Sequence, residues 1–310
     1  MTDQDSFLNN SLNNSLDFSF LASEYPNQKR EHARFWIIPV PLEKSVSYGS
    51  GTACGPSAVL AASQQLEAWE EGFKPGKEGF YTSSAVDCSS DMETVLARIE
   101  EQVRAALELG AVPVLLGGEH SLTLGALRAY AHTSEGELPG IVQIDAHADL
   151  RPEYEGNPYS HACVMYRAVH DLGYRLAQFA VREFCPQEAE IRAAMHIVHH
   201  DAGEIADKGL PEPVLPVDFP RDVYVTFDVD GFDCSLMPAT GTPSPGGLFW
   251  HDARRLLGRI AESRRIVGLD VVELAPIPGL HSADFIAAKL THLLMGLSSY
   301  SSSRFCSQRS

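Results

Sequence analysis

The chain is short of several things, and each shortage removes a class of function. Basic residues are few: 24 Lys and Arg stand against 41 Asp and Glu, a formal net charge of −17. Binding to a phosphate backbone needs basic surface, so nucleic acid is excluded as a partner. No apolar run approaches the roughly 18 residues of a membrane span, which excludes a membrane-spanning protein. The N-terminal MTDQDSFLNN has neither the basic nor the apolar region of a signal peptide. Cys54, Cys88, Cys163, Cys185, Cys234 and Cys306 never fall in C-x-x-C spacing. That excludes a disulfide scaffold and reads as reduced packing cysteines in a cytoplasmic protein. There is no G-x-x-x-x-G-K-[ST] either, hence no Walker loop.

What is present is ordinary for a globular protein. The 310 residues are 44% hydrophobic and 21% charged, enough for one large α/β domain or two average ones. Residues 1–30 are rich in Asn, Ser and charge, with a near-duplicated NNSLNNSL, and read as a mobile or subunit-contacting arm. Residues 298–310 (SSYSSSRFCSQRS) are Ser-rich and read as a frayed tail. Between them, residues 31–297 alternate apolar runs with helical periods. Strands are expected over 34–40, 112–116, 140–145, 176–181, 195–199, 223–228 and 266–272. Helices are expected over 55–69, 91–109, 119–132, 161–170, 186–194, 251–263 and 282–296. Strands that are apolar at consecutive positions are buried on both faces, which implies a mainly parallel sheet covered by helices. With no internal linker or repeat, a single α/β domain is expected.

In such sheets, ligands bind beyond the carboxyl ends of the strands. Residues 112–116 are followed by Gly117-Gly118-Glu119-His120-Ser121, and 140–144 by Asp145-Ala146-His147-Ala148-Asp149. Residues 223–227 are followed by Asp228-Val229-Asp230, and 266–271 by Val272-Glu273. A single D-x-H or D-x-D is usually a turn or a cap, and GGEHS alone is a common packing turn. Gathered at neighbouring strand ends, they form one constellation. Positions i and i+2 of a strand face the same way, roughly 6.6 Å apart. Asp145 with His147, and Asp228 with Asp230, can therefore flank a metal pair, whose ions sit about 3.5–4 Å apart. Asp149 would lie roughly 13 Å from Asp145 on a continuous strand. It joins only if the chain curls after His147, so the strand should end near residue 146. Four crowded aspartates repel one another, and two divalent cations would neutralise them. Mixed carboxylate and imidazole donors without thiolate suit Mn²⁺ or a similar ion better than Ca²⁺ or structural zinc.

GGEHS, DAHADL, EGNPYSH, TFDVDGFDCSLMPATGTP and VVEL, with SYGSGTACGPSAVLAAS upstream, together resemble the ureohydrolase (arginase/agmatinase) superfamily over roughly residues 35–295. The resemblance implies a three-layer α/β/α fold with a mainly parallel central sheet, two Mn²⁺ per subunit (Co²⁺ or Ni²⁺ being able to use the same donors), and a homotrimer or homohexamer. It also implies hydrolysis of a guanidinium group by a metal-bridging hydroxide. By the same resemblance, His120 and Asp149 serve one ion, His147 and Asp230 the other, and Asp145 and Asp228 bridge. His161 would carry protons near the leaving amine, and Glu273 would hold the substrate guanidinium. Those roles are chemically sensible: guanidine is a poor electrophile, a carboxylate pairs with it bidentately, and a histidine titrates near neutrality. Glu119 stands where many relatives have Asp and is not expected to bind metal. His199-His200-Asp201 reads as a strand end with solvated polar residues.

The loop from Leu150 to His161 lacks the Asn and Ser/Thr pattern associated with arginases and resembles bacterial agmatinases instead. Agmatine carries two positive charges, and Glu153 or Glu155 would attract its distal amine. The expected function is thus hydrolysis of agmatine, a small cationic guanidino substrate, to putrescine and urea. Arg151 would instead suit a guanidino acid, which makes guanidinobutyrase the alternative within the family. A non-catalytic metal-binding scaffold is the alternative of another class, and the complete set of donors speaks against it. A phosphatase lacks the Arg or Lys cluster it would need.

Overall fold

The computed structural model describes residues 18–70, 72–134 and 136–307. Eight strands form one sheet: β1 (Phe35–Val40), β2 (Phe80–Thr82), β3 (Val112–Gly117), β4 (Gly140–Ile144), β5 (Leu176–Phe179), β6 (Val198–His200), β7 (Asp222–Asp228) and β8 (Arg265–Val272). Their order is β2-β1-β3-β8-β7-β4-β5-β6, and every pairing is parallel. Parallel strands need crossovers, here supplied by helices α1 (Gly55–Ser63), α2 (Met92–Glu108), α3 (Thr123–Thr133), α4 (Val164–Tyr166), α5 (Pro186–Ala194), α6 (Ala202–Lys208) and α7 (Trp250–Ser263), while α8 (His281–Ser307) follows the last strand.

The two-residue period of a strand splits the sheet's side chains between two cores. Phe35 and Ile37 pack with Val114, Val225 and Leu269 against α1, α7 and α8. Trp36 and Ile38 pack with Leu115 and Tyr224 against α2 and α3. The result is the expected three-layer α/β/α arrangement. Register then levels the carboxyl ends. Ile144 pairs with Phe227, setting Asp145 beside Asp228, and Asp228 pairs with Val272, one residue before Glu273.

Several elements differ from expectation. The helix expected from 119 opens as a 3₁₀ turn (His120–Leu122) before α3, and 161–170 divides into a 3₁₀ turn, α4 and a π-helical turn, Arg167–Asp171. The strand expected at 195–199 lies at 198–200, because residues up to Ala194 finish α5. β2 and α6 are too short to leave a periodic signal. The supposed frayed tail needs correction: residues 298–307 continue α8. Ser298 and Ser301 are buried there, Ser298 donating to the Ile266 carbonyl (2.8 Å) and Ser301 Oγ accepting from the Ile266 amide (3.1 Å). β3 pairs with β8 only from Leu269 onward, so small hydroxyls serve backbone groups that lack a strand partner. Residues 1–17 of the expected arm lie outside the described residues. Its later part is docked on its own chain: Phe20 and Leu21 are buried, and the Leu21 amide donates to Ser63 Oγ at 2.9 Å. Among the described residues no helix is long and apolar enough to cross a membrane, and Cys54, Cys88, Cys163, Cys185 and Cys234 are free thiols.

Candidate metal centre

Each strand end delivers its side chains through a specific backbone device. β3 ends in Gly117-Gly118, and a Cβ on Gly118 would stand 2.1 Å from the Leu42 carbonyl oxygen, so only glycine fits before His120. β4 ends at Ile144, and Asp149 has φ of 52°, a left-handed conformation costly for a non-glycine residue. The chain therefore curls within 145–149, as the distance argument requires. Glu273 has φ of 65° just past β8, and its Oε1 accepts the His120 backbone N–H at 2.7 Å. Asp228 accepts the Asp230 N–H (2.9 Å), and Asp230 Oδ1 accepts the Ala146 N–H (2.9 Å), locking the β4 and β7 turns together.

These devices bring all six expected donors into one cluster. His120 Nδ1 lies 3.0 Å from Asp149 Oδ2, 3.1 Å from Asp145 Oδ2 and 3.6 Å from Asp228 Oδ2. His147 Nδ1 lies 3.0 Å from Asp230 Oδ2 and 3.6 Å from Asp145 Oδ1. Two groups thus have metal-ligand spacing, His120–Asp145–Asp149 and Asp145–His147–Asp230. Asp145 belongs to both, one oxygen toward each. The aspartates and His120 are buried, whereas His147 is about one-third exposed (31%) at the mouth.

Burial makes this concentration of negative charge expensive. Burial and the charge of Asp145 push Asp149 up to about 6, and burial with the charges of Asp230 and Asp145 pushes Asp228 well above the carboxylate range. Burial would raise Asp145 too, but the imidazoles of His120 and His147 close beside it outweigh burial and hold that group low. Burial alone would depress His147, yet the charge of Asp230 and the hydrogen bond to Asp145 lift it to about 12. His120 is likewise raised against burial by Asp145 and Asp149. The protein alone thus sets two imidazoles, both raised in pKa, against four aspartates. His120 Nδ1 is a buried nitrogen with no hydrogen-bond partner, aimed into three carboxylates. An orphaned imidazole donor among carboxylate oxygens fits a borderline divalent cation.

The centre opens into a cavity of about 710 Å³ also lined by His161, Glu273 and Arg151. His161 receives support at two points: its N–H donates to Ser45 Oγ (2.9 Å), and its Nδ1 lies 3.3 Å from the same oxygen. Ser45 in turn donates to Glu119 (2.8 Å), a buried carboxylate that also accepts the Lys44 and Ser45 amides and the Ser121 hydroxyl. Glu119 therefore holds the upstream loop and stays outside both ligand groups. Burial and the charge of Glu119 raise Glu273 well above the usual range, although the His120 amide opposes this.

Glu153 and Glu155 do not reach the cavity. Both are exposed; Tyr154, between them, pairs with Asn157 in a tight turn and lines the cavity. Besides Glu273 and the aspartates of the centre, two acidic residues line it: Glu183, exposed and accepting from Ser244 (2.9 Å), and Glu188, which pairs with Arg151 (3.8 Å) and caps α5. Sequence spacing also passed over the buried polar residues behind the ligands. Gln143 donates to Asp145 Oδ2 (2.7 Å) and accepts from Gln178, which accepts from Arg192, itself paired with Asp201. Asp201, partly exposed, thus forms the outer end of that relay.

Residues 33–296 match the arginase family. A relative from Synechocystis sp., the N(1)-aminopropylagmatine ureohydrolase, is 36% identical over 84% of this chain and 87% of its own length. The agmatinase of Pyrococcus horikoshii is 30% identical over 89% of this chain and 95% of its own. The crystal structure of agmatine ureohydrolase from Thermoplasma volcanium superposes with a TM-score of 0.81 at 29% identity, covering 92% of this chain and 96% of that one. Strand order, the paired ligand groups and these likenesses agree: the chain belongs to the arginase family and is an agmatinase-like ureohydrolase, an amidine-hydrolysing enzyme.

Proposed function

We propose that the enzyme hydrolyses the guanidinium group of agmatine, releasing urea and putrescine. The observation that carries this reading is the sharing of Asp145 by two His/Asp groups on the floor of a cavity that Glu273 and His161 also line. In this reading two Mn²⁺ ions would be held, His120 and Asp149 serving one, His147 and Asp230 the other, and Asp145 and Asp228 both; Co²⁺ or Ni²⁺ could use the same donors. When bound, such ions neutralise the aspartates and activate water at neutral pH. Glu273 holds the planar guanidinium by paired N–H···O contacts, fixing its carbon over the centre. His161, oriented by Ser45 and Glu119, gives a proton to the departing amine. Glu183 takes over the part expected of Glu153 and Glu155, facing the substrate's distal ammonium. The subunits form a homotrimer or homohexamer in the cytoplasm, the five free thiols being consistent with a reducing compartment.

A second reading has a specific support. The cavity of about 710 Å³ exceeds what agmatine needs, and the Synechocystis relative is named for the longer aminopropyl substrate. Urea release by the Mn²⁺-supplemented enzyme from agmatine, N(1)-aminopropylagmatine, arginine and guanidinobutyrate decides the matter. Fastest turnover of arginine or guanidinobutyrate would overturn the cationic-tail assignment, and fastest turnover of the aminopropyl compound would replace agmatine with it.

A further inference from the structure

Behind His120 lies a buried network of hydroxyls around one carboxylate. Asp270, in the middle of β8, is wholly buried and pairs in register with Thr226 of β7. Its Oδ1 accepts the Thr226 hydroxyl at 2.6 Å, and its Oδ2 accepts the hydroxyls of Thr123 and Tyr224, each at 2.8 Å. Thr226 Oγ1 also lies 2.7 Å from His120 Nε2.

The protons in this network can be assigned by counting. A hydroxyl has one proton, and Asp270 as a carboxylate can only accept. Thr226 therefore spends its proton on Asp270, and its short contact with His120 must be an Nε2–H donating to Thr226 Oγ1. In the neutral ring that leaves Nδ1 bare, and Nδ1 is the atom facing Asp145, Asp149 and Asp228.

We infer that Asp270, acting through Thr226, is a positioning residue that fixes the metal-donating tautomer of His120. It touches neither substrate nor the reacting atoms. It makes the neutral ring present a lone pair, rather than a proton, to the centre, and it holds the ring plane. The inference rests on His120 being a metal donor. Histidine ligands generally gain orientation and basicity from such a partner on the far nitrogen. Here the partner is a hydroxyl relay, with Tyr224 and Thr123 securing the carboxylate from the β7 and α3 sides. Without Thr226 Oγ1, nothing would hold Nε2–H, and neither the ring plane nor the nitrogen facing Asp145 and Asp149 would stay set for a cation.

The test measures the Mn²⁺ affinity of chelator-stripped protein by competition, alongside its unfolding temperature without metal. Thr226→Val and Asp270→Asn should each weaken Mn²⁺ binding about 10- to 100-fold, while Thr226→Ser, which keeps the hydroxyl, should stay near wild type. Thr226→Val nearly preserves volume, so it decides the question even where Asp270→Asn fails to fold. If Thr226→Val lowered the metal-free unfolding temperature but bound Mn²⁺ as tightly as wild type, the network would be structural only and the inference wrong. Wild-type protein that bound no divalent cation would overturn the reading of His120 beneath it.

Discussion

Two buried clusters in this protein combine carboxylate and histidine, and only one of them reads as a ligand site. At the strand ends, four aspartates face two histidines, and Asp149 and Asp228 are pushed upward in pKa. Against α8, wholly buried Glu70 meets Lys289 Nζ at 2.6 Å and His292 Nδ1 at 3.3 Å. Burial would raise Glu70, yet the adjacent His292 and Lys289 bring it below the usual range. Both clusters contain buried ring nitrogens without hydrogen-bond partners, His120 Nδ1 in one and both nitrogens of His292 in the other. Orphaned donors therefore do not distinguish them; charge balance does. The Glu70 cluster is neutralised from within the chain, whereas the strand-end cluster has negative charge left over for a cation to satisfy.

The sharpest way to break this contrast is Asp228→Asn. Loss of that carboxylate should lower kcat/KM about 10³-fold and reduce bound metal; full activity with two ions retained would dissolve the distinction. Glu70→Gln should do the reverse, costing about 3 kcal/mol of stability in denaturant unfolding while leaving turnover per folded molecule and metal content intact. A drop in metal content there would show that the two clusters are coupled. The third effect is one of pH. Without metal, His147 keeps its proton far above its unfolded value of 6.5, up to about 12. Its contribution to metal-free stability is therefore full below pH 6.5 and is lost as pH rises toward 12. A cation must displace that proton, so affinity should weaken about tenfold for each unit fall in pH per proton released. Titration calorimetry in buffers of different ionisation heat reads the proton count, and a count of zero at pH 7 would contradict the assignment. The smallest effects lie at the mouth. Glu183→Gln should raise KM for agmatine about fivefold, as an exposed charge pair warrants, and Glu153→Gln and Glu155→Gln should change it less than Glu183→Gln does.

The six clustered donors were legible because strand alternation and strand ends are properties of one segment at a time. Even the curl before Asp149 followed from segment length alone, and the φ of 52° there accounts for it. What escaped depends on relations between segments. Thr226 and Asp270 look like ordinary strand residues until register makes them neighbours, and Gln143 meets Gln178 only across β4 and β5. Glu153 and Glu155 were expected at the mouth from their place in the Leu150–His161 loop, whereas the turn at Tyr154–Asn157 leaves both exposed and off the cavity wall. Ser298 and Ser301 were read by composition as disorder, when their size and hydroxyls suit close packing on β8.

The sheet order carries one more consequence. β3, β7 and β4 deliver His120, Asp228 and Asp145, and with β8 they are the four adjacent central strands. A cation held among them would act as a removable staple across three segments that together span more than a hundred residues of the chain, from His120 to Asp228. Chelation should then loosen the middle of the sheet as one unit, with amide exchange rising together at the ends of β3, β4 and β7 while the docked β1–β2 edge keeps its protection.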